Sequence, residues 1–97
     1  MTVKHIAWLK FKSDISGERI NHHMDACRAL VGKVPSLISL ECGADFMGRS
    51  GGFTHGIIVT ISSRESLPEY LNHPEHIPVA NALKADLEDL RVLDFET

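Results

Sequence analysis

Val3-Lys4-His5-Ile6-Ala7-Trp8-Leu9-Lys10-Phe11-Lys12 is the stretch that decides the fold. Side chains alternate along it, and one face of the predicted strand collects Val3, His5, Ala7, Leu9 and Phe11. The opposite face is not simply polar, because Ile6 and Trp8 lie at its middle. A strand that is apolar on both faces is covered on both faces. We therefore expect this chain's helices on the first face and a partner sheet on the second.

The rest of the chain alternates between helix-like and strand-like periodicity. In order, the pattern predicts a helix from about residue 16 to 31, strands over 37–46 and 55–61, a short helix from residue 62, a final helix through 79–90, and a closing strand over 91–96. Strand, helix, strand, strand, helix, helix, strand is the ferredoxin-like βαββαβ plan, an α+β fold with helices on one face of a four-stranded antiparallel sheet. Because 97 residues leave no room for a second core, we expect one domain over 1–97.

The sheet face without helices is predicted to be too apolar to remain in water. It carries Ile6, Trp8 and Ile58, together with Leu40 or Phe46. Two such faces can bury each other in a two-fold dimer, with the two sheets packed as an α+β barrel. The sequence therefore predicts a homodimer.

Composition argues against several classes of function. The net charge is -3 with no basic run, which argues against nucleic-acid binding. No apolar run is long enough to span a membrane, and the N-terminus lacks signal-peptide architecture. Cys27 and Cys42 fall in different predicted elements, which favours reduced thiols over a disulfide framework. We expect a cytoplasmic protein with neither a nucleic-acid nor a membrane partner.

Tyr70-Leu71-Asn72-His73-Pro74-Glu75-His76 is the stretch richest in chemical groups. An imidazole near its ordinary pKa of about 6.5 can take a proton at neutral pH, so His76 is a candidate base for a proton beside a ketone or thioester carbonyl. Tyr70 is a candidate donor to the enolate oxygen that develops. Candidate substrate-binding residues are His5, His55 and His73, beside an apolar wall of Leu9, Met24, Cys27 and Leu83.

Each of these side chains also has a purely structural interpretation. Tyr70 is a plausible core aromatic, and a histidine at a strand start can bond a backbone carbonyl. A metal site is a second alternative, because His73 and His76 are three residues apart and His5 or His55 would supply a third imidazole. No carboxylate or cysteine occupies a compelling ligand position, so we expect neither a metal nor a cofactor. His22 and His23 are interpreted as helix-surface or rim residues.

Several segments resemble the stress-responsive dimeric α/β-barrel (Dabb) family. They are Val3-Lys4-His5-Ile6, Leu9-Lys10-Phe11-Lys12, Leu30-Val31-Gly32-Lys33-Val34-Pro35, Thr54-His55, Tyr70-Leu71-Asn72-His73-Pro74-Glu75-His76 and Val92-Leu93-Asp94-Phe95. The resemblance covers essentially the whole chain in order. It implies a homodimeric ferredoxin-like barrel but not one particular activity.

The same resemblance implies candidate roles for individual residues. A polyketide cyclase of that family performs an intramolecular aldol condensation without metal or cofactor, and its catalytic pair matches Tyr70 and His76. Its supporting histidines match His5, His55 and His73, whereas one of its pocket tyrosines falls at Cys27. We therefore expect a small-molecule pocket and a cofactor-independent cyclase or lyase. The alternatives are a non-catalytic stress-response protein and a ligand- or metal-binding module.

Overall fold

The structure is a computed structural model that describes residues 1–97. Its elements are β1 (Val3–Phe11), α1 (Gly17–Arg28), β2 (Leu37–Ala44), β3 (His55–Ile61), a 3-10 turn (Arg64–Ser66), α2 (Leu67–Leu71), α3 (His76–Ala85) and β4 (Leu87–Glu96). This order confirms the predicted ferredoxin-like arrangement. None of the three α-helices has the length and apolar character needed to cross a membrane.

The four strands form one antiparallel sheet in the order β2-β3-β1-β4. β1 lies inside the sheet and pairs with β3 on one side and with β4 on the other. His5 therefore has Val59 opposite it on β3 and Asp94 opposite it on β4. Side chains directly opposite each other share a face of the sheet, so this register places Asp94 beside His5.

The hydrophobic core lies on the sheet face that the helices cover. Its most completely buried large side chains are Leu9, Leu30, Val34, Val59 and Ile61. Each such side chain stabilises the fold by about 1.5–3 kcal/mol relative to its exposed state. The odd-numbered row of β1 contributes to this core, as its period predicts.

The other sheet face is exposed in the single chain and is markedly apolar. Trp8 is 48% exposed and Leu93 is 63% exposed, and Ile58 lies opposite Ile6 on the same face. The prediction of Leu40 or Phe46 on this face is wrong. Leu40 pairs with the buried Val59 and packs against the core, whereas Phe46 follows the end of β2 and is 91% exposed.

The predicted final helix through residue 90 is also wrong, because α3 ends at Ala85. Asp86 follows as the C-cap and is buried rather than solvent-facing. Its carbonyl accepts a hydrogen bond from the Lys12 backbone N–H at 2.9 Å, which brings the chain against β1. Leu87 and Leu90 consequently belong to β4, although their spacing from Leu83 is also helical.

The helix starts follow their local chemistry. The Ser16 hydroxyl accepts a hydrogen bond from the Arg19 N–H and caps α1. The Ser63 hydroxyl caps the 3-10 turn by accepting a hydrogen bond from the Ser66 N–H. Pro68 lies in the first turn of α2, where its missing N–H is not needed. These short elements carry the chain from β3 to Tyr70 and His76.

Candidate functional site

A cavity of about 310 Å³ lies between the helices and the sheet, and all four strands contribute to its lining. Fifteen of its 19 lining residues are hydrophobic, and the remaining four are His5, His76, Lys84 and Asp94. Val92 and Asp94 lie on the edge strand β4 and are exposed, so the cavity opens at that edge. Such an apolar cavity with a few polar groups is typical of a small-molecule site.

Tyr70, at the end of α2, is 3% exposed and lines the cavity. Burial raises the pKa of its phenol well above the ordinary value of 10.0, so the hydroxyl stays protonated at neutral pH. No protein group hydrogen-bonds this hydroxyl. A buried phenol without a protein partner is an available hydrogen-bond donor for a ligand.

His76, at the first residue of α3, packs against Tyr70 with ring centroids 4.3 Å apart. Its Nδ1 lies 3.1 Å from the Leu71 carbonyl oxygen. A carbonyl oxygen only accepts, so Nδ1 must carry the proton and the neutral ring has its lone pair on Nε2. Burial lowers the pKa of His76 below the ordinary 6.5, and the hydrogen bond to Leu71 opposes this shift only in part. The ring is therefore a neutral base at pH 7.

His5 and Asp94 form a histidine–carboxylate pair on adjacent strands. The His5 Nδ1 contacts a carboxylate oxygen of Asp94, and the two side chains are 15% and 40% exposed. The carboxylate accepts a hydrogen bond from Nδ1–H and so fixes the orientation of the ring. Nε2 is left without a protein partner. The His5 ring also meets Tyr70 edge-on, with centroids 6.1 Å apart. Two imidazoles thus flank the same phenol.

Sequence reasoning missed Asp94 as a site residue. The signal was present in β4, where Leu90, Val92 and Asp94 share the helix-facing row. A carboxylate in an otherwise apolar row, opposite a histidine, indicates a candidate site residue. Detecting it required the β1–β4 register, which strand periodicity alone does not give.

Some of the predicted site residues line the cavity, and others lie outside it. His5, Leu9, Cys27, Tyr70, His76 and Leu83 line the cavity. Met24 is buried in the core and does not line it.

His55 and His73 also lie outside the lining, for separate local reasons. The His55 ring packs edge-on against Phe11 at 5.4 Å, and its Nδ1 lies 2.9 Å from the Thr54 hydroxyl. The His73 Nδ1 accepts a hydrogen bond from the Glu75 N–H at 3.0 Å, which closes the turn before α3.

Cys27 occupies the cavity wall as a protonated thiol. Burial raises its pKa from 9.0 to about 11. The thiolate is the nucleophilic form, so this cysteine is not set up for covalent catalysis at neutral pH. It contributes a small apolar surface beside Tyr70.

The histidine pattern does not assemble a metal centre. No group of three histidine, cysteine, aspartate or glutamate side chains is positioned to hold an ion. His73 and His76, which are three residues apart, each direct Nδ1 to a local backbone group. Within the single chain, His73 and His76 therefore do not combine with a third ligand.

A second histidine–carboxylate pair lies outside the cavity and joins α1 to the turn after α3. His23 Nε2 is 2.6 Å from Asp86 Oδ2, and Arg19 donates to both carboxylate oxygens at 2.7 and 3.0 Å. The hydrogen bond from His23 and the Arg19 guanidinium lower the pKa of Asp86 below 3.8. His23 is buried, so its prediction as a surface or rim residue is wrong.

The fold and the site together define a ferredoxin-like α+β domain with an apolar cavity whose polar groups are a phenol, two imidazoles, a carboxylate and an ammonium. More particularly, the chain belongs to the stress responsive A/B barrel domain family, whose sequence model it matches over residues 3–97. The family resemblance seen in the sequence is thereby confirmed.

Known relatives include both an enzyme and structures of the same fold. The olivetolic acid cyclase of Cannabis sativa is 29% identical over 97 residues, covering 98% of this chain and 96% of the cyclase. The hydroxynitrile lyase of Passiflora edulis superposes with a TM-score of 0.90 at 23% identity, covering 97% and 91% of the two chains. A dimeric ferredoxin-like protein from Thermobifida fusca superposes with a TM-score of 0.88 at 20% identity, covering 100% and 92%.

Proposed function

We propose that this protein is a cofactor-independent cyclase or lyase that removes a proton beside a carbonyl group. The observation that carries the proposal is the contact between the His76 imidazole and the Tyr70 phenol in the wall of one apolar cavity, with ring centroids 4.3 Å apart. One group is a neutral base and the other a protonated donor at pH 7. General acid–base chemistry needs this combination.

The reaction begins at a carbon next to a ketone or thioester carbonyl. His76 Nε2 takes the proton, and the electron pair of the broken C–H bond forms an enolate. The Tyr70 hydroxyl donates a hydrogen bond to the enolate oxygen as its charge develops. In a cyclase, the enolate carbon attacks a second carbonyl of the same molecule, and the imidazolium returns the proton to the new alkoxide. Every proton in this sequence moves through this chain's own residues.

His5 is a positioning and binding residue in this scheme. Asp94 fixes the orientation of its ring, and that ring meets edge-on the Tyr70 phenol that donates to the substrate oxygen. A preorganised polar group costs little reorganisation during the reaction. The apolar lining orients the remainder of the substrate and excludes water.

The relationship to olivetolic acid cyclase supports the choice of reaction class but not the same substrate. The family resemblance matches that enzyme's catalytic pair to Tyr70 and His76. By that resemblance, Cys27 falls where that enzyme has a pocket tyrosine, and Cys27 gives this cavity wall a small thiol instead of a phenol. We infer a substrate that needs fewer polar contacts at this wall.

We further propose that the working form is a homodimer in the cytoplasm. The apolar patch made by Ile6, Trp8, Ile58, Leu93 and Phe95 has no cover in the single chain. A second copy offers the same patch, and two sheets pack face to face at about 10 Å. Sedimentation at micromolar concentration should give the dimer mass, and a monomer would contradict this part of the proposal.

The activity is tested with a panel of linear β-polyketide thioesters of increasing chain length. Wild type is expected to release a cyclised or cleaved product, whereas His76→Ala and Tyr70→Phe lose that activity. His73→Ala is the matched control, because it removes a neighbouring imidazole that does not line the cavity. Equal turnover by wild type and His76→Ala would remove His76 from the mechanism. Saturable binding without any turnover would instead identify a ligand-binding protein.

A further inference from the structure

Lys84 occupies an unexpected position on α3. The residues of this helix that line the cavity are His76, Val79, Ala80, Leu83 and Lys84. They fall at the spacing i, i+3, i+4, i+7 and i+8, which is one face of a helix. Apart from His76, the rest of this stripe is apolar, so an exposed lysine on it places a cation at the cavity rim.

The Lys84 ammonium has no partner in the protein. The residue is exposed, and its side chain forms neither an ion pair nor a hydrogen bond with the protein. The nearby acidic side chains are engaged elsewhere, since Glu88 pairs with Lys10 at 2.8 Å and Asp89 lies 3.6 Å from Arg91. Lys12, by contrast, donates to the Ala85 carbonyl at 2.9 Å. Lys84 is thus a lining residue whose charge has no partner within the protein.

Its charge also reaches the catalytic groups. Lys84 lies eight residues after His76 on the same cavity-facing stripe of α3. Burial is the main cause of the lowered pKa of His76, and the charge of Lys84 adds to it. The one carboxylate in the lining, Asp94, is paired with His5. Lys84 is therefore the cationic side chain of the lining that is free to pair with an anion.

We propose that Lys84 binds a carboxylate that the substrate carries in addition to its reacting carbonyl, which makes this site selective for ligands with an aliphatic body and an anionic end over their neutral counterparts. This inference rests on the proposed function, because it concerns the same cavity. The apolar lining takes the carbon chain, and Lys84 holds the anionic end at the rim. The reacting carbonyl then lies between the rim and the Tyr70–His76 pair.

The test compares octanoate with octanamide, which have the same shape but differ in charge at pH 7. Dissociation constants are measured by following backbone amide shifts of cavity residues during titration. Wild type is expected to bind octanoate about fivefold more tightly, the scale of a solvent-screened ion pair. Lys84→Met should reduce this ratio to about one, and Lys84→Arg should keep it. Lys33→Met is the control, since it removes the same charge from an exposed loop outside the cavity.

Several outcomes would overturn the proposal. They are a ratio near one in wild type, a ratio unchanged in Lys84→Met, and failure of octanoate to saturate wild type at millimolar concentration. The proposed catalysis is scored separately by turnover. A loss of the octanoate preference alongside normal turnover refutes only the role of Lys84. A preserved preference in a protein without turnover refutes only the catalysis.

Discussion

The protein contains two histidine–carboxylate pairs whose surroundings differ sharply. His5 and Asp94 meet across the β1–β4 ladder beside the cavity, where the carboxylate side chain is 40% exposed. His23 and Asp86 meet between α1 and the turn after α3, where both side chains are buried. Only the second carboxylate has an arginine, Arg19, on both of its oxygens.

This difference shows that the surroundings of a pair decide its role. In the buried pair every carboxylate oxygen is used within the protein, so the pair ties two elements together and has nothing left for a ligand. In the cavity pair only Nδ1 of the imidazole is paired, and the ring meets edge-on a phenol that has no protein partner. The first arrangement stabilises the fold, and the second is available for chemistry.

The largest effect should come from the base beside the cavity pair. His76→Ala is expected to lower kcat by about 10²- to 10⁴-fold, because a positioned general base contributes on that scale. The midpoint of thermal unfolding should change little, since the ring is partly exposed. Steady-state kinetics and a thermal melt on the same sample check both statements. A loss of activity that tracks unfolding would contradict the catalytic role.

Asp94→Asn should have a smaller effect on the same reaction. An amide holds the His5 ring less firmly than a carboxylate, so we expect kcat to fall about 10- to 100-fold through misorientation. The thermal midpoint should stay near that of wild type, because a half-exposed pair contributes about 0–1 kcal/mol. Full activity in this variant would show that the orientation of His5 is not required.

Asp86→Asn should have the opposite effect, lowering thermal stability while leaving kcat nearly unchanged. The change leaves His23 and Arg19 without their shared anion and weakens the tie between α1 and the α3–β4 turn. The thermal midpoint should fall more than in Asp94→Asn, whereas kcat of the folded protein should stay close to wild type. A thermal melt paired with kinetics below the transition measures this. A larger loss of stability in Asp94→Asn would invert the proposed roles.

The two regions should also respond to different ranges of pH. The pKa of His76 is lowered below 6.5, so activity should fall with decreasing pH through a midpoint below 6.5, as the base becomes protonated. The pKa of Asp86 is lowered below 3.8, so its contribution to stability is present above that value and is lost as pH falls further. Activity should therefore disappear while the protein is still folded. A pH–rate profile and a pH series of thermal melts separate the two transitions.

The smallest effects should come from the histidines outside the cavity. His55→Ala and His73→Ala are expected to change kcat/KM by less than about twofold, because neither ring lines the site. Both variants should be compared with His76→Ala on one substrate. A large loss of kcat/KM in either variant would show that its imidazole takes part in the reaction. It would contradict the expectation that only cavity-lining residues matter for activity.

Much of the fold could be predicted from alternation and helix spacing. The β1 alternation correctly indicated a strand, and the strand predicted over 55–61 has the bounds that the structure gives it. The end of α3 could not be predicted in this way, because Leu83, Leu87 and Leu90 satisfy helical spacing even though the last two belong to β4. The side-chain contacts of Asp86 with Arg19 and His23 are long-range and leave no local signal.

The candidate site could be predicted in part. Tyr70 and His76 were evident because a phenol and an imidazole six residues apart flank a proline-containing turn. His55 was included because it leads a strand row, but its ring packs on Phe11 outside the cavity. Asp94 and Lys84 were missed, since finding them requires the β1–β4 register and the exact cavity-facing stripe of α3.

The central claim is that His76 offers an unprotonated Nε2 to the cavity at neutral pH. Long-range nitrogen–proton NMR correlations of the imidazole rings, recorded from pH 5 to pH 8, measure both the tautomer and the titration of each histidine. We expect His76 to be neutral at pH 7, with its proton on Nδ1, and to titrate below 6.5. A His76 ring that is protonated at pH 7, or that carries its proton on Nε2, would contradict the account.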